Sequence, residues 1–159
     1  MKPRLEEKEG FAVFGLEKPL ELNPPDFWTQ VHRAGLYQKL FFDAGGAGEP
    51  DGERPGVGVV NGMCNYEVVG DYMIFAFVCP GSRTEGYKVV QVPQSTWAVF
   101  RGREADHPAK YISKLFHRAY KRWLPKSGYA RAPGPDMEIY NVAENGKHIA
   151  EVWVPVVRI

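Results

Sequence analysis

Between Asp136 and Arg158 the chain writes DMEIYNV, a short turn and HIAEVWVPVVR, two apolar strands with a carboxylate in the middle of each. Asn145-Gly146 between them tolerates positive φ and suits a two-residue type I′ hairpin turn. With that loop Glu144 faces Lys147, Tyr140 faces Glu151 and Glu138 faces Trp153. Side chains alternate along a strand, so Glu138, Tyr140, Val142, Ile149, Glu151 and Trp153 then share one face, and Met137, Ile139, Ala150, Val152 and Val154 mostly fill the other. In this register Glu138 and Glu151 are diagonal neighbours, roughly 7–8 Å apart. A longer loop or a bulge slips the register by one and sends them to opposite faces. Strand glutamates are ordinarily solvated; Tyr140 and Trp153 beside these two weigh toward burial, because large aromatics favour it.

The rest of the chain supplies what such a hairpin needs to pack against. Its 159 residues suffice for one domain with a core and fall short of two. A hydrophobic share of 44% with 25% charged residues fits a soluble globular protein, and a net charge of +1 gives no support to a nucleic-acid or acidic-membrane partner held by bulk electrostatics. The start, MKPRLEEKEG, lacks an apolar signal region, and no stretch is long and apolar enough to span a membrane. Cys64 and Cys79, without metal-ligand spacing, fit a reducing cytoplasm.

In chain order, Phe11–Leu16 is a first strand. Asn23-Pro24-Pro25-Asp26 then opens a helix running from about Asp26 to Asp43, with Phe27, Trp28, Val31, Leu36, Leu40 and Phe41 as its apolar stripe and Gly35 as a weak point. Gly45–Gly56 is a Gly/Pro/acid loop. Strands follow at Val57–Met63 and Tyr72–Cys79, then a long strand Tyr87–Arg101 that must bend, or lie partly at an edge, at Pro93. A second helix opens at Asp106 and Pro108 and reaches Leu124. Ile112, Leu115, Phe116, Ala119 and Trp123 face its core, and Lys110, Lys114, His117, Lys121 and Arg122 face solvent.

Strand, helix, strand, strand is thus written twice, with matched segments. Phe11-Ala12-Val13-Phe14 pairs with Trp97-Ala98-Val99-Phe100, an offset of 86 (11 to 97), and Val31-His32-Arg33-Ala34 with Phe116-His117-Arg118-Ala119, an offset of 85 (31 to 116). Agreeing offsets in the same elements predict a duplicated α+β domain over residues 1–159, with repeats at about 9–80 and 86–159. Its helices would cover one face of antiparallel sheets, and a pseudo-two-fold would leave a groove between the halves.

The run VPQSTWAVFRG (92–102), RAYKRWLPKSGY (118–129), MEIYN (137–141) and AEVWVPV (150–156) resembles the GyrI-like small-molecule-binding domain, the effector-binding part of AraC- and MerR-type multidrug-sensing regulators. The resemblance covers nearly the whole chain and is stronger in the second half. It implies the duplicated fold reached above, with ligands in the groove between repeats. It also implies that Glu138, the MEIYN glutamate, contacts cationic lipophilic aromatic ligands, and that Glu151 occupies a second acidic position. Trp97, Trp123, Tyr140 and Trp153 are the candidate aromatic walls. Tyr72 and Phe75 are weaker candidates, because strand alternation puts them on opposite faces. Regulators of this kind carry a helix-turn-helix segment ahead of the domain and this sequence shows none, so the expectation is a stand-alone cytoplasmic sensor, sequestering or resistance protein, with a regulator's effector domain as the other form. It would use no cofactor and no metal, and bind no DNA directly.

Two other readings share the groove. Some GyrI-like proteins hydrolyse cyclopropane-containing toxins, and Glu138 or Glu151 with Tyr140 would supply the acid–base pair. The family name also suggests a protein partner, as in gyrase inhibition. No rival catalytic set is present: His32, His107, His117 and His148 lack metal-ligand spacing, and there is no nucleophile elbow or phosphate-binding glycine loop.

Overall fold

Alternating apolar strands assemble into one antiparallel sheet, flanked on one face by helices, so the fold is α+β. The computed structural model describes residues 2–45, 59–105, 108–142 and 147–159. Its strands are β1 (Arg4–Lys8), β2 (Phe11–Glu17), β3 (Asn61–Cys64), β4 (Tyr72–Phe77), β5 (Lys88–Val92), β6 (Ser95–Arg101), β7 (Tyr129–Arg131), β8 (Asp136–Val142) and β9 (His148–Arg158). Helices α1 (Pro24–Arg33) and α2 (Leu36–Asp43) lie between β2 and β3. A second helical segment begins with a 3-10 turn, Pro108–Tyr111. It continues as α3 (Ile112–His117), a π-helical stretch Arg118–Trp123, and α4 (Leu124–Ser127).

The strands run in the order β1-β6-β9-β8-β3-β4-β2-β5, with β7 on β9. The junction of β3 with β8 lies at the middle, and each outermost strand pairs with the side remote from it in sequence: β1 with β6, β5 with β2. Register separates the two faces. Met63 pairs with both Met73 and Met137, and Met137 with Trp153, which places them on a face shared with Val13, Phe75, Trp97 and Val99. On this face Phe11 of β2 lies 6.1 Å from Trp97 of β6, and Phe77 of β4 6.3 Å from Trp153 of β9, between ring centroids. β2 and β6 are separated by four strands, so the sheet must curl until its arms meet over this inner core. The outer face, with Phe14, Ile74, Phe100, Val152 and Val154, is packed by the helices.

Several sequence expectations shift for identifiable reasons. β8 and β9 pair as Glu138↔Val152, Ile139↔Glu151 and Tyr140↔Ala150, one residue away from the two-residue-turn register, because Val142↔His148 leaves residues 143–147 to the connection. That turn, the Gly46–Gly56 part of the expected loop, and Asp106 fall outside the described residues. The single helix expected over 26–43 is two, since Gly35 sits at φ 73, a left-handed conformation that ends α1 and redirects the chain into α2. The long strand 87–101 divides at Pro93 into β5 and β6, and the second helix runs on to Ser127, with Pro125 tolerated in the first turn of α4. β1 escaped the reading because RLEEK has no apolar alternation; it is an outermost strand, where charge is the rule.

Close strand packing fixes one glycine. A Cβ at Gly15 would collide with the Ile74 carbonyl and come within 2.7 Å of the Phe75 Cα, backbone atoms that cannot rotate aside. Gly15→Ala is expected to destabilise the protein by about 1–3 kcal/mol in chemical denaturation; a wild-type midpoint would contradict this packing.

Candidate functional site

The sheet register aims three side chains at a single point on the helix side. Gly62 of β3 pairs with Glu138 of β8, and Tyr72 of β4 and Tyr140 of β8 project from the same face. Glu138 is 8% exposed. Its Oε1 accepts from the Tyr72 hydroxyl at 2.6 Å and the Tyr140 hydroxyl at 3.3 Å, and the Tyr72 oxygen accepts from Trp28 Nε1 at 2.7 Å. Gly62 makes room for this cluster, since a Cβ there would meet the Tyr72 hydroxyl and lie 2.6 Å from Glu138 Oε1. Just past the end of the β3–β8 pairing, the Asn61 side chain accepts from the Tyr140 N–H at 2.9 Å and holds β8 in place.

The cluster forms the floor of a cleft of about 860 Å³. One wall is α1 and α2, presenting Trp28, His32 and Tyr37; the other is the second helical segment, presenting Ile112, Ser113 and Phe116. Val60 and His148 complete the lining with Pro24 and Pro25. The α1 wall is set by its cap: Asn23 accepts from the Asp26 N–H at 2.8 Å and the prolines occupy the first turn. Phe27 and Val31 then point into the core, while Trp28 turns to the flank. There Trp28 meets Tyr140 edge-on at 5.8 Å, and the rings of His32 and Tyr37 stack at 4.4 Å.

Among the described residues Glu138 has no ion-pair partner. Burial pushes its carboxyl above the ordinary range; the two tyrosine hydroxyls pull it back, and Asp136 adds to the rise. Burial also raises Tyr72 and Tyr140, with Glu138 the next cause in both, so they serve as donors to it. Glu151, 4% exposed, is the opposite case. Arg4 Nη2 lies 3.4 Å and Arg101 Nη1 3.6 Å from its Oε2, and Trp153 Nε1 donates to its Oε1 at 3.1 Å. Asp136 is completely buried yet satisfied by Arg131 at 3.1 Å, Tyr120 at 2.5 Å and Asn65 at 2.5 Å, which ties β8 to the second helical segment and to β7.

Of the residues expected at a groove, the structure thus brings Glu138, Tyr140 and Tyr72 together. The expected common face for Glu138 and Glu151 is corrected by the register: Glu151, Trp153, Trp97 and Phe75 lie on the inner face of the curl, where Trp97 and Trp153 pack at 6.1 Å. Trp123 packs on Phe100 and Tyr129 on the outer face, beside neither carboxylate. Trp28 and Phe116 belong to the helix stripes expected from sequence, and Tyr37 carries no expected role. A signal was present for the first two, since each follows a stripe residue, Phe27 or Leu115, by one position and so points to the helix flank. Among the described residues there is no cluster of metal-ligating side chains and no helix long and apolar enough to cross a membrane.

Residues 4–156 match the family model Cass2, described as integron-associated effector binding protein. Among solved structures, SAV2435 bound to tetraphenylphosphonium is similar at 18% identity and a TM-score of 0.68, over 99% of this chain and 94% of that one. The Vibrio cholerae integron cassette protein VCH_CASS2 shares 16% identity at a TM-score of 0.57, over 99% and 97% of the two chains. The C-terminal domain of EcmrR shares 11% at 0.58, over 99% and 98%. No curated protein sequence gives a significant match.

The raised carboxyl makes the free protein's stability pH-dependent with a definite sign. A carboxyl whose folded pKa lies above its unfolded value stabilises the fold below the ordinary carboxylate range, and that contribution is lost as pH rises through the folded pKa. Glu138→Gln is expected to remove this slope in pH-dependent denaturation. Tyr72→Phe, which deletes a hydrogen bond favouring the charged form, is expected to raise the Glu138 carboxyl further, followed by NMR of the labelled side chain. An unmoved or lowered titration in Tyr72→Phe would contradict the assigned role of the hydroxyl.

Proposed function

Because the chain belongs to the family of integron-associated effector binding proteins, we propose that its cleft takes a lipophilic aromatic cation, with Glu138 as the counter-charge. The observation that carries this reading is a buried carboxylate that faces an open cleft and has no cation paired to it among the described residues. Leaving it charged and unpaired is costly, on the order of several kcal/mol. A metal ion or a strongly hydrated amine would have to shed its water to reach it. A large organic cation carries little water, brings the missing charge, and buries its own apolar surface in the same step.

The walls fit that chemistry. Trp28, Tyr37, Phe116, Tyr72 and Tyr140 offer ring faces and edges around the carboxylate, and cation-π attraction adds about 0.5–2 kcal/mol at each well-placed face. The cleft volume of about 860 Å³ lies within the range of roughly 300–1,000 Å³ usual for small-molecule pockets. The tetraphenylphosphonium held by SAV2435 is a ligand of this class. The protein's role would be that of a sensor or sequestering protein, or of the effector-binding part of a regulator.

Titration with tetraphenylphosphonium, followed by tryptophan fluorescence, is expected to show saturable binding. Glu138→Gln should weaken it at least about thirtyfold, corresponding to about 2 kcal/mol for an uncompensated charge, and a neutral tetraphenyl analogue should bind weakly to both forms. Binding should also fall with acid, since protonating Glu138 removes the charge that pairs with the cation. Equal affinity of wild type and Glu138→Gln for the cation would remove the carboxylate from the reading.

The same hydrogen bonds favour a second reading, hydrolysis of a strained electrophile such as a cyclopropane. A carboxyl raised by burial and touched by two tyrosine hydroxyls suits general acid–base work. Mass-spectrometric detection of a water adduct of a cyclopropane substrate, lost in Glu138→Gln, would establish turnover.

A further inference from the structure

Residues 108–135 contain seven Lys and Arg residues and no Asp or Glu. The whole chain has 20 basic and 19 acidic residues, so the remainder holds 13 and 19; the near-neutral total averages a basic segment against an acidic rest. Folding turns that segment into a stripe. Lys110, Lys114, Arg118, Arg122 and Lys126 follow one another four residues apart along the second helical segment, with His117 and Lys121 beside them, and each is a surface neighbour of the next, so the row winds gradually along the segment. Lys110, Lys114, His117, Lys121, Arg122 and Lys126 are exposed, while Leu115 and Ala119 on the other side are buried against the sheet.

None of Lys110, Lys114, Lys121, Arg122 and Lys126 forms an ion pair with a described residue. Lys110 and Lys114 lie over the Tyr111 ring at 5.1 and 5.8 Å, which steadies the start of the stripe without neutralising it. Midway along, Ser113, Lys114, His117, Arg118 and Arg122 line a shallow hollow of about 350 Å³. Like charges four apart destabilise a helix, so the pairs Lys110 with Lys114 and Arg122 with Lys126 gain from an external counter-charge.

We propose that this face binds the phosphate backbone of a nucleic acid, without reading its sequence. Charge density favours that partner among anionic ones. From Lys110 to Lys126 the stripe runs roughly 24 Å at about 1.5 Å per residue, a dense single-sign row suited to a duplex carrying one charge per about 1.7 Å of axis; ordinary protein surfaces intersperse both signs. Exposed acidic groups farther from the contact than a Debye length, about 8 Å at physiological salt, are screened. Contact is therefore governed by the stripe and not by the net charge. The hollow adds a hydroxyl and an imidazole as hydrogen-bond donors to a phosphate seated against Arg122 and Lys114.

The test is fluorescence anisotropy of the intact protein with a labelled random-sequence duplex of about 20 base pairs, beside a polyglutamate peptide of similar charge. If about five phosphates are neutralised, duplex affinity falls about 500-fold between about 50 and 200 mM salt. The double variant Lys114→Glu with Arg122→Glu should lose at least about tenfold at the lower salt, while its thermal melt and its tetraphenylphosphonium titration stay as in wild type. Both side chains lie outside the cleft lining, so this outcome is independent of the proposed ligand. No duplex binding at low salt, binding indifferent to salt, or binding unchanged in the double variant overturns the proposal. Tighter binding of polyglutamate than of duplex at equal salt overturns it in favour of an acidic protein partner.

Discussion

The junction of β3 with β8 is the constraint on which the rest depends. It is the middle of the strand order, so the two arms of the sheet, and the helices each arm carries, are positioned through it. It is also narrow. Three backbone pairings, Gly62↔Glu138, Met63↔Met137 and Cys64↔Asp136, are extended by the Asn61 side chain on the Tyr140 N–H. The inner core closes the curl from behind, with Phe11 on Trp97 and Phe77 on Trp153. Once the arms meet there, the helices on the outer face are left standing either side of the junction, and the space between them is the cleft.

Two buried glutamates on adjacent strands, facing opposite sides of the sheet, show what the cleft is suited to. Glu151 is enclosed by guanidinium groups and an indole N–H, so its charge is answered within the molecule. Among the described residues Glu138 receives only neutral donors, both on one oxygen. Neutral donors orient a carboxylate but do not cancel its charge, and breaking even with desolvation requires a counter-ion. The asymmetry is built by small means: a glycine at 62 that leaves space, one tyrosine on β8 itself and another on β4, and an indole that fixes the direction of the hydroxyl chain.

Much of this was legible in the sequence. The carboxylate-bearing strands and the capped helix after Asn23 follow from periodicity and turn chemistry, and Glu138, Tyr140 and Tyr72 stand among the expected groove residues. What was not legible is instructive. Side-chain period in a strand is two, so an error of one residue in the connection between β8 and β9 reverses every facing, and Glu151 and Trp153 were assigned to the wrong partner by that single slip. Gly35 was read as a weak helix position, and its left-handed φ makes it a break. Trp28 and Phe116 look like core on a helical wheel because a residue next to the stripe differs from it by only about 100°; which flank is roofed by another element is a tertiary fact.

The central claim is that Glu138 is an uncompensated carboxylate whose counter-charge the ligand supplies, and proton release tests it most directly. At the pH where Glu138 of the free protein is half protonated, calorimetry of tetraphenylphosphonium binding in buffers of different ionisation enthalpy counts protons displaced per cation. The account predicts release of about half a proton at that pH through linkage, and its loss in Glu138→Gln. Binding that displaces no proton in the wild type, or the same number in both proteins, would contradict it.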